Sequence, residues 1–192
     1  MENVLTIYID ADGCPVKDEV YKVAGRYQLP VKVVANKGIN TPLNPLIQMV
    51  VVAAGPDEAD NWIAEHIQEH DVCITADIPL ADRCLKKQAK VLGVRGDEFT
   101  ENMIGNALAT RELMKELREI GQTSGGPPPF SARDRSQFLS GLDRIIQAIK
   151  LDTERKALLA ARKKSWMARL ASCTKHPISL AKLYLQAACM TQ

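Results

Sequence analysis

The sequence predicts an α/β fold: a mainly parallel central sheet of about five strands layered between helices, followed by further helices at the C-terminal end. Three observations predict it. Short runs rich in β-branched residues alternate along the chain with longer segments whose apolar residues recur at helical spacing. Such alternation implies right-handed crossovers and parallel pairing, with helices over both faces of the sheet. Finally, three of the strand-like runs stop at an acid, and parallel strands bring their carboxyl ends to one edge, where ligands gather in open α/β sheets.

The first run, Val4 to Ile9, ends in Asp10-Ala11-Asp12-Gly13, and Gly13 permits a tight turn before Pro15 and a helix over 16–27 with Val16, Val20, Val23 and Ala24 as its apolar stripe. Asp12 shares a face with Asp10 as long as the chain stays extended through Ala11. Val31 to Ala35 is a second strand, followed by an Asn-, Gly- and Pro-containing loop and a third strand over Met49 to Ala54. Gly55-Pro56 breaks it, and Asp57, Glu58 and Asp60 open a helix carrying Trp62, Ile63, His66 and His70. Acids in a first turn are favoured by the helix dipole, so capping competes with a role in chemistry there. The two histidines, one turn apart on that helix, read as a surface face, because no third metal ligand accompanies them.

A fourth strand, Asp71 to Thr75, ends in Ala76-Asp77, and a fifth, Lys90 to Val94, ends in Arg95-Gly96-Asp97-Glu98. Thr100 is placed to cap a helix from Glu101 to about Ile120. Residues 122–132, rich in Gly and Pro, form a connection, and Arg133 to Lys150 return to helix with Phe138, Leu142, Ile145, Ile146 and Ile149 buried. Residues 1–150 form one domain. Residues 151–192 form a basic, mostly helical extension, with eight Lys and Arg against two acids, whereas residues 1–150 carry 17 against 21. That extension reads as an amphipathic segment that docks on its own domain or on a copy; attraction of nucleic acid is the alternative.

No apolar stretch approaches the roughly 18 residues of a membrane span, and MENVLTIYID lacks the regions of a signal peptide, so a soluble, cytoplasmic protein is expected. Five cysteines without a C-x-x-C pair argue against a disulfide framework or zinc cluster, and Cys14 reads as a packing residue. The converging acids Asp10, Asp12, Asp60, Asp77 and Asp97 predict a metal site, and oxygen ligands without histidine or thiolate suit Mg2+ or Mn2+. Lys17, Lys37, Arg95, Arg133 and Arg135 are the candidate phosphate-positioning cations.

The segments IDADGCPVK, VVAN, GPDEADNWI, ITADIPLA, VRGDEFTENMI and GGPPPFSARDRSQFLSGLDR, in that order, make residues 5–148 resemble the YaiI/YqxD family of uncharacterised bacterial proteins. That family is similar to the PIN-like nucleases, which implies a PIN-like three-layer α/β/α sandwich with acids around one or two divalent metals. The resemblance carries the catalytic acids over to Asp10, Asp77 and Asp97, with Asp60 or Glu58 between them in sequence. It implies a divalent-metal-dependent phosphodiesterase or ribonuclease with RNA as partner. A non-catalytic nucleic-acid or nucleotide binding protein is the alternative. A further one, a haloacid-dehalogenase-like phosphatase, draws on the likeness of IDADGCPV to a D-x-D-G-T motif, but Cys14 and Pro15 depart from it.

Overall fold

The computed structural model describes residues 5–12, 14–105 and 129–173, the last four of these as backbone only. The chain divides into two compact units, Met1–Ile146 and Gln147–Gln192. In the first, the elements run β1 (Ile7–Asp10), α1 (Lys17–Tyr27), β2 (Val31–Ala35), β3 (Ile47–Val51), α2 (Glu58–His66), β4 (Val72–Ile74), α3 (Ile78–Lys86), β5 (Lys90–Leu92) and β6 (Glu98–Phe99). Helix α4 is described over residues 101–105, where the Thr100 hydroxyl accepts the Met103 N–H at 3.3 Å as the cap the sequence predicts. Helix α5 (Ala132–Cys173) begins in the first unit and continues into the second.

The strands form one sheet in the order β3-β2-β1-β4-β5-β6, parallel from β3 to β5, with β6 antiparallel to β5. The predicted α/β layering is thus observed, with β6 as a sixth strand. From β1 the chain passes to β2 and β3 on one side, then crosses to β4 and β5 on the other. The order in which the chain adds strands therefore reverses between β1 and β4, which stay parallel, and beyond their carboxyl ends lies the crevice where α/β sheets receive ligands.

Side chains alternate across the strands and bury both faces. Tyr8, Val34, Cys73 and Val91 pack against Ala59, Ile63 and Ile67 of the α2 region and Leu80, Ala81 and Cys84 of α3. Ile7, Ile9, Val33 and Ile74 point the other way and are fully buried. On that face Leu92 meets Gly141 of α5, and α5 is tied to α1 by polar contacts: Tyr27 donates to Asp143 at 2.7 Å, Arg26 lies 3.2 Å from the same oxygen, and Arg135 lies 3.2 Å from buried Glu19.

Several boundaries differ from the sequence reading. Helix α2 ends at His66, so His70 lies beyond it in a turn at φ 72° and pairs with Glu69 at 3.2 Å; the two histidines do not share a helix face. Strand β3 starts two residues earlier than expected and β5 stops two residues sooner. After β5 the chain folds back, with the Gly93 N–H donating to the Asp97 carbonyl and the Gly96 N–H to the Gly93 carbonyl, so 93–97 is a hairpin turn into β6. The start of α5 is a capping box: Ser131 N–H and hydroxyl both donate to Asp134 Oδ2 at 2.8 Å, and the Asp134 N–H donates back to the Ser131 hydroxyl.

In the second unit α5 carries Lys156 3.2 Å from Asp152, and Leu151, Leu158 and Met167 are exposed. No helix among the described residues is long and apolar enough to cross a membrane. The expected helix over 106–120, the Gly-Pro connection up to residue 128 and the break at His176-Pro177 lie outside the described residues.

Candidate functional site: an acidic cavity at the carboxyl ends of β1 and β4

The crevice between β1 and β4 holds a cavity of about 250 Å3 lined by Asp10, Asp12, Asn36, Asp57, Ala59, Asp60 and Asp77. Five carboxylates and one amide thus share a small volume whose lining includes no lysine or arginine.

Each acid arrives for a local reason. Asp10 is the last residue of β1, and the Ala11 N–H continues the ladder by donating to Val34 O at 2.9 Å. The chain therefore stays extended through Ala11, and Asp12 is kept on the side of Asp10, as alternation requires. The Asp10 carboxylate accepts the Asp12 N–H and, at Oδ2, the Thr75 hydroxyl at 2.9 Å. Thr75, buried at the end of β4, in turn accepts the Asp77 N–H at 3.0 Å. Asp77 is the N-cap of α3, its Oδ2 accepting the Leu80 N–H at 3.0 Å, so a helix-capping role coexists with a place in the cavity wall.

Asp57 behaves differently. It is the N-cap residue of α2 by position, yet its side chain makes no capping bond, and its backbone sits at φ 60° in the left-handed region, which Asp tolerates better than most residues. Asp60 follows one turn on and lines the cavity, whereas the Glu58 side chain lies against Gly55; of the two candidates for the acid on this helix, Asp60 faces the site.

Crowding shows in the proton affinities. Burial raises Asp10 above the ordinary carboxylate range, and Asp12 and Asp77 push it further, against the opposing hydrogen bonds from Thr75 and Asp12. Asp60 is raised to about 6, first by burial and then by Asp10, Asp77 and Asp57, with only Arg83 pulling the other way. Like charges packed this closely are stabilised by a bound cation.

Two members of this group stand outside the predicted site residues. Thr75 fixes the Asp10 carboxylate, and Asn36 closes β2 at the same edge. The Asn36 amide donates to Gly55 O at 3.1 Å, while its Oδ1 is buried at the cavity with no hydrogen-bond partner. The only sequence signal for Asn36 is a polar residue ending the apolar run VVAN; that for Thr75 is its place before Ala76-Asp77.

Asp97 is not part of the group. The hairpin turn between β5 and β6 carries it to a separate cavity of about 350 Å3, lined also by Arg95, Gly96, Ser136, Gln137, Ser140, Gly141 and Arg144. Among the phosphate-positioning candidates, Lys17 stands nearest the turn after β1, its Nζ 3.5 Å from Ala11 O. Lys37 is exposed beside Asn36, and Arg133 is exposed on α5. Arg95 lies 3.7 Å from Asp134, and Arg135 is engaged with Glu19 and lies over the Phe130 ring. Cys14 is buried, and burial pushes its thiol up, so it packs rather than reacts.

Whether the cavity suits a metal depends on its donors. Hard oxygen donors and an orphaned amide oxygen fit Mg2+ or Mn2+. Among the described residues, no three Asp, Glu, His or Cys side chains stand close enough to hold one ion as they are arranged. Mg2+ retains several waters and takes only one or two carboxylates directly, so this spread lining is compatible with it.

Residues 8–148 match the uncharacterised YaiI/YqxD family. A UPF0178 protein of Paramagnetospirillum magneticum is 60% identical over 144 residues, 75% of this chain and 95% of the relative. A UPF0178 protein of Rhodospirillum rubrum is 55% identical over 147 residues, 76% of this chain and 98% of the relative. One of Azorhizobium caulinodans is 56% identical over 146 residues, 76% and 92% of the two chains. No solved structure matches the chain. With a match that takes in every residue lining the acidic cavity, the chain belongs to the YaiI/YqxD family.

Proposed function

We propose that the protein is a divalent-metal-dependent phosphodiesterase acting on single-stranded RNA, with the acidic cavity as its catalytic centre. The observation that carries this reading is the gathering of Asp10, Asp12, Asp57, Asp60 and Asp77 with the unpartnered Asn36 Oδ1 at the point where the strand order reverses. Five carboxylates with no cation in the lining are an unfavourable arrangement unless a cation joins them; burial first, and then Asp10, Asp77 and Asp57, push Asp60 up to about 6.

Asp10, Asp60 and Asp77, with Asn36 Oδ1, are the residues that would hold Mg2+ or Mn2+, one or two of the carboxylates directly and the rest through its retained waters. Such an ion, when bound, polarises a phosphoryl oxygen and lowers the pKa of a coordinated water. The rest is done by the protein. Thr75 holds Asp10 in one orientation, the Leu80 N–H holds Asp77, and Lys17 beside the β1 turn offers a charge to a phosphate. Asp97, displaced into the second cavity, has no catalytic role in this reading.

The test is cleavage of a labelled single-stranded RNA by full-length protein with Mg2+ or Mn2+. Activity is expected with the metal, none with EDTA, and a loss of at least a hundredfold (about 2.7 kcal/mol) in folded Asp10→Asn and Asp60→Asn variants. Equal cleavage by the variants would assign the activity elsewhere, and RNA binding without cleavage under any divalent ion would select a non-catalytic binding role.

A further inference from the structure

The second cavity lies where the β5–β6 turn meets α5, and its lining differs in character from the acidic one. Arg95 comes from the turn. Ser136, Ser140 and Arg144 come from α5 at four-residue intervals, so one helix face presents them together. Among the described residues of this lining, Asp97 is the one acid. Arg144 is exposed, and no ion pair engages it among the described residues.

The wall between turn and helix is built from backbone. A Cβ on Gly96 would stand 2.6 Å from Gln137 C, and one on Gly141 would stand 2.8 Å from Gly96 O. The position of the turn, and of Arg95 on it, is therefore fixed relative to Arg144 by contacts with no side chain to yield.

Both cavities lie on the same sheet edge. The Thr75 N–H donates to Leu92 O at 3.3 Å, which sets the end of β4 beside that of β5, and β1, β4 and β5 are consecutive in the sheet. At about 4.8 Å between strands, the turn at Arg95 begins roughly 10 Å along the edge from the end of β1. That is the axial span of about three stacked nucleotides.

We propose that this second cavity binds a backbone phosphate of the same single-stranded nucleic acid whose scissile phosphate enters the acidic cavity. Arg144 and Arg95 supply the charge, and the Ser136 hydroxyl and Gln137 amide supply neutral donors. The assignment rests on the nuclease reading and gives it what the acidic cavity lacks. Five carboxylates repel a polyanion, so the attraction that sets the register of the strand has to come from beside them.

The experiment is an anisotropy titration of a short fluorescein-labelled single-stranded RNA with full-length protein, Ca2+ replacing Mg2+. Arg144→Ala is expected to weaken binding about tenfold and to reduce the slope of log K against log salt by about 0.7. Arg144→Lys, which keeps the charge and loses the fork, falls between. Both variants should keep the wild-type circular dichroism, since Arg144 is exposed. Unchanged affinity and slope in Arg144→Ala, with tight wild-type binding, overturn this proposal and leave the nuclease reading standing; a wild type that binds no RNA overturns both. Inorganic phosphate that displaces the RNA supports the assignment. Inorganic phosphate that binds the wild type but not Arg144→Ala, without competing with RNA, marks a site for free phosphate and overturns it.

Discussion

The buried Thr75 hydroxyl donates to Asp10 Oδ2 at 2.9 Å, and through this bond the end of β4 fixes the acid at the end of β1. The same oxygen accepts the Asp77 N–H at 3.0 Å, so one threonine orients one cavity acid and anchors the backbone of another. Replacing it tests whether the site is preorganised. Thr75→Val keeps the volume but leaves Asp10 Oδ2 and the Asp77 N–H without this partner, and a loss of about 1–3 kcal/mol is expected in urea unfolding. Since the Thr75 bond lowers the Asp10 proton affinity, the Asp10 titration followed by carboxyl NMR should move upward in the variant. Thr75→Ser should restore most of both.

Asp60 predicts a pH dependence of stability. Its folded pKa of about 6 lies above the model carboxylate value of 3.8, so between those values the folded state binds the proton more strongly than the unfolded one. Stability from this group is full below pH 3.8 and is lost as pH rises through about 6. After allowance for solvent screening the loss is on the order of 1 kcal/mol. Without divalent ions, Asp60→Asn should therefore be more stable than wild type at neutral pH by about that amount, with the difference vanishing near pH 4. Thermal unfolding across this pH range measures it, and a variant less stable than wild type at pH 7 would contradict the crowding of charge around Asp60.

Gly96 has φ +90°, and a Cβ there would meet Gln137 C and O at 2.6 Å in the backbone of α5. Gly96→Ala thus combines left-handed strain with an overlap that no rotamer relieves, and a loss of about 2–4 kcal/mol is expected in denaturant titration. A neutral result would show that the turn stands off the helix.

Arg135 was expected to position phosphate, but its Nε lies 3.2 Å from buried Glu19. Arg135→Ala should destabilise the protein by about 1–3 kcal/mol, because Glu19 is left buried without its partner. RNA affinity should change far less than in Arg144→Ala. A double-mutant cycle with Glu19→Gln separates the pair from other losses.

Much of this architecture was legible in the sequence, for reasons particular residues make plain. Runs such as Val31 to Ala35 are buried on both faces, and such runs have one stable use, as strands of a covered parallel sheet. Once parallel, Asp10 and Asp77 had to reach the same edge. Asp97 misled because an acid after an apolar run does not reveal whether the chain continues past the sheet edge or folds back; the Gly93 and Gly96 hydrogen bonds that turn it into β6 carry no hydrophobic periodicity. Asn36 and Thr75 are absent from the predicted site residues for a related reason. Both are single neutral residues, ordinary at a strand end, and they gain meaning only when the ends of β2 and β4 stand on either side of β1. The place of Asp12 depended on one hydrogen bond, from Ala11 to Val34, that decides whether the strand is still extended there.

Anomalous scattering from crystals of the full-length protein soaked in Mn2+ shows whether the acidic cavity is a divalent-cation site. Occupancy by a divalent cation requires a peak inside the cavity bounded by Asp10, Asn36, Asp60 and Asp77, absent in Asp10→Asn crystals. Saturating Mn2+ that leaves this cavity without a peak, or that binds only elsewhere, would contradict it.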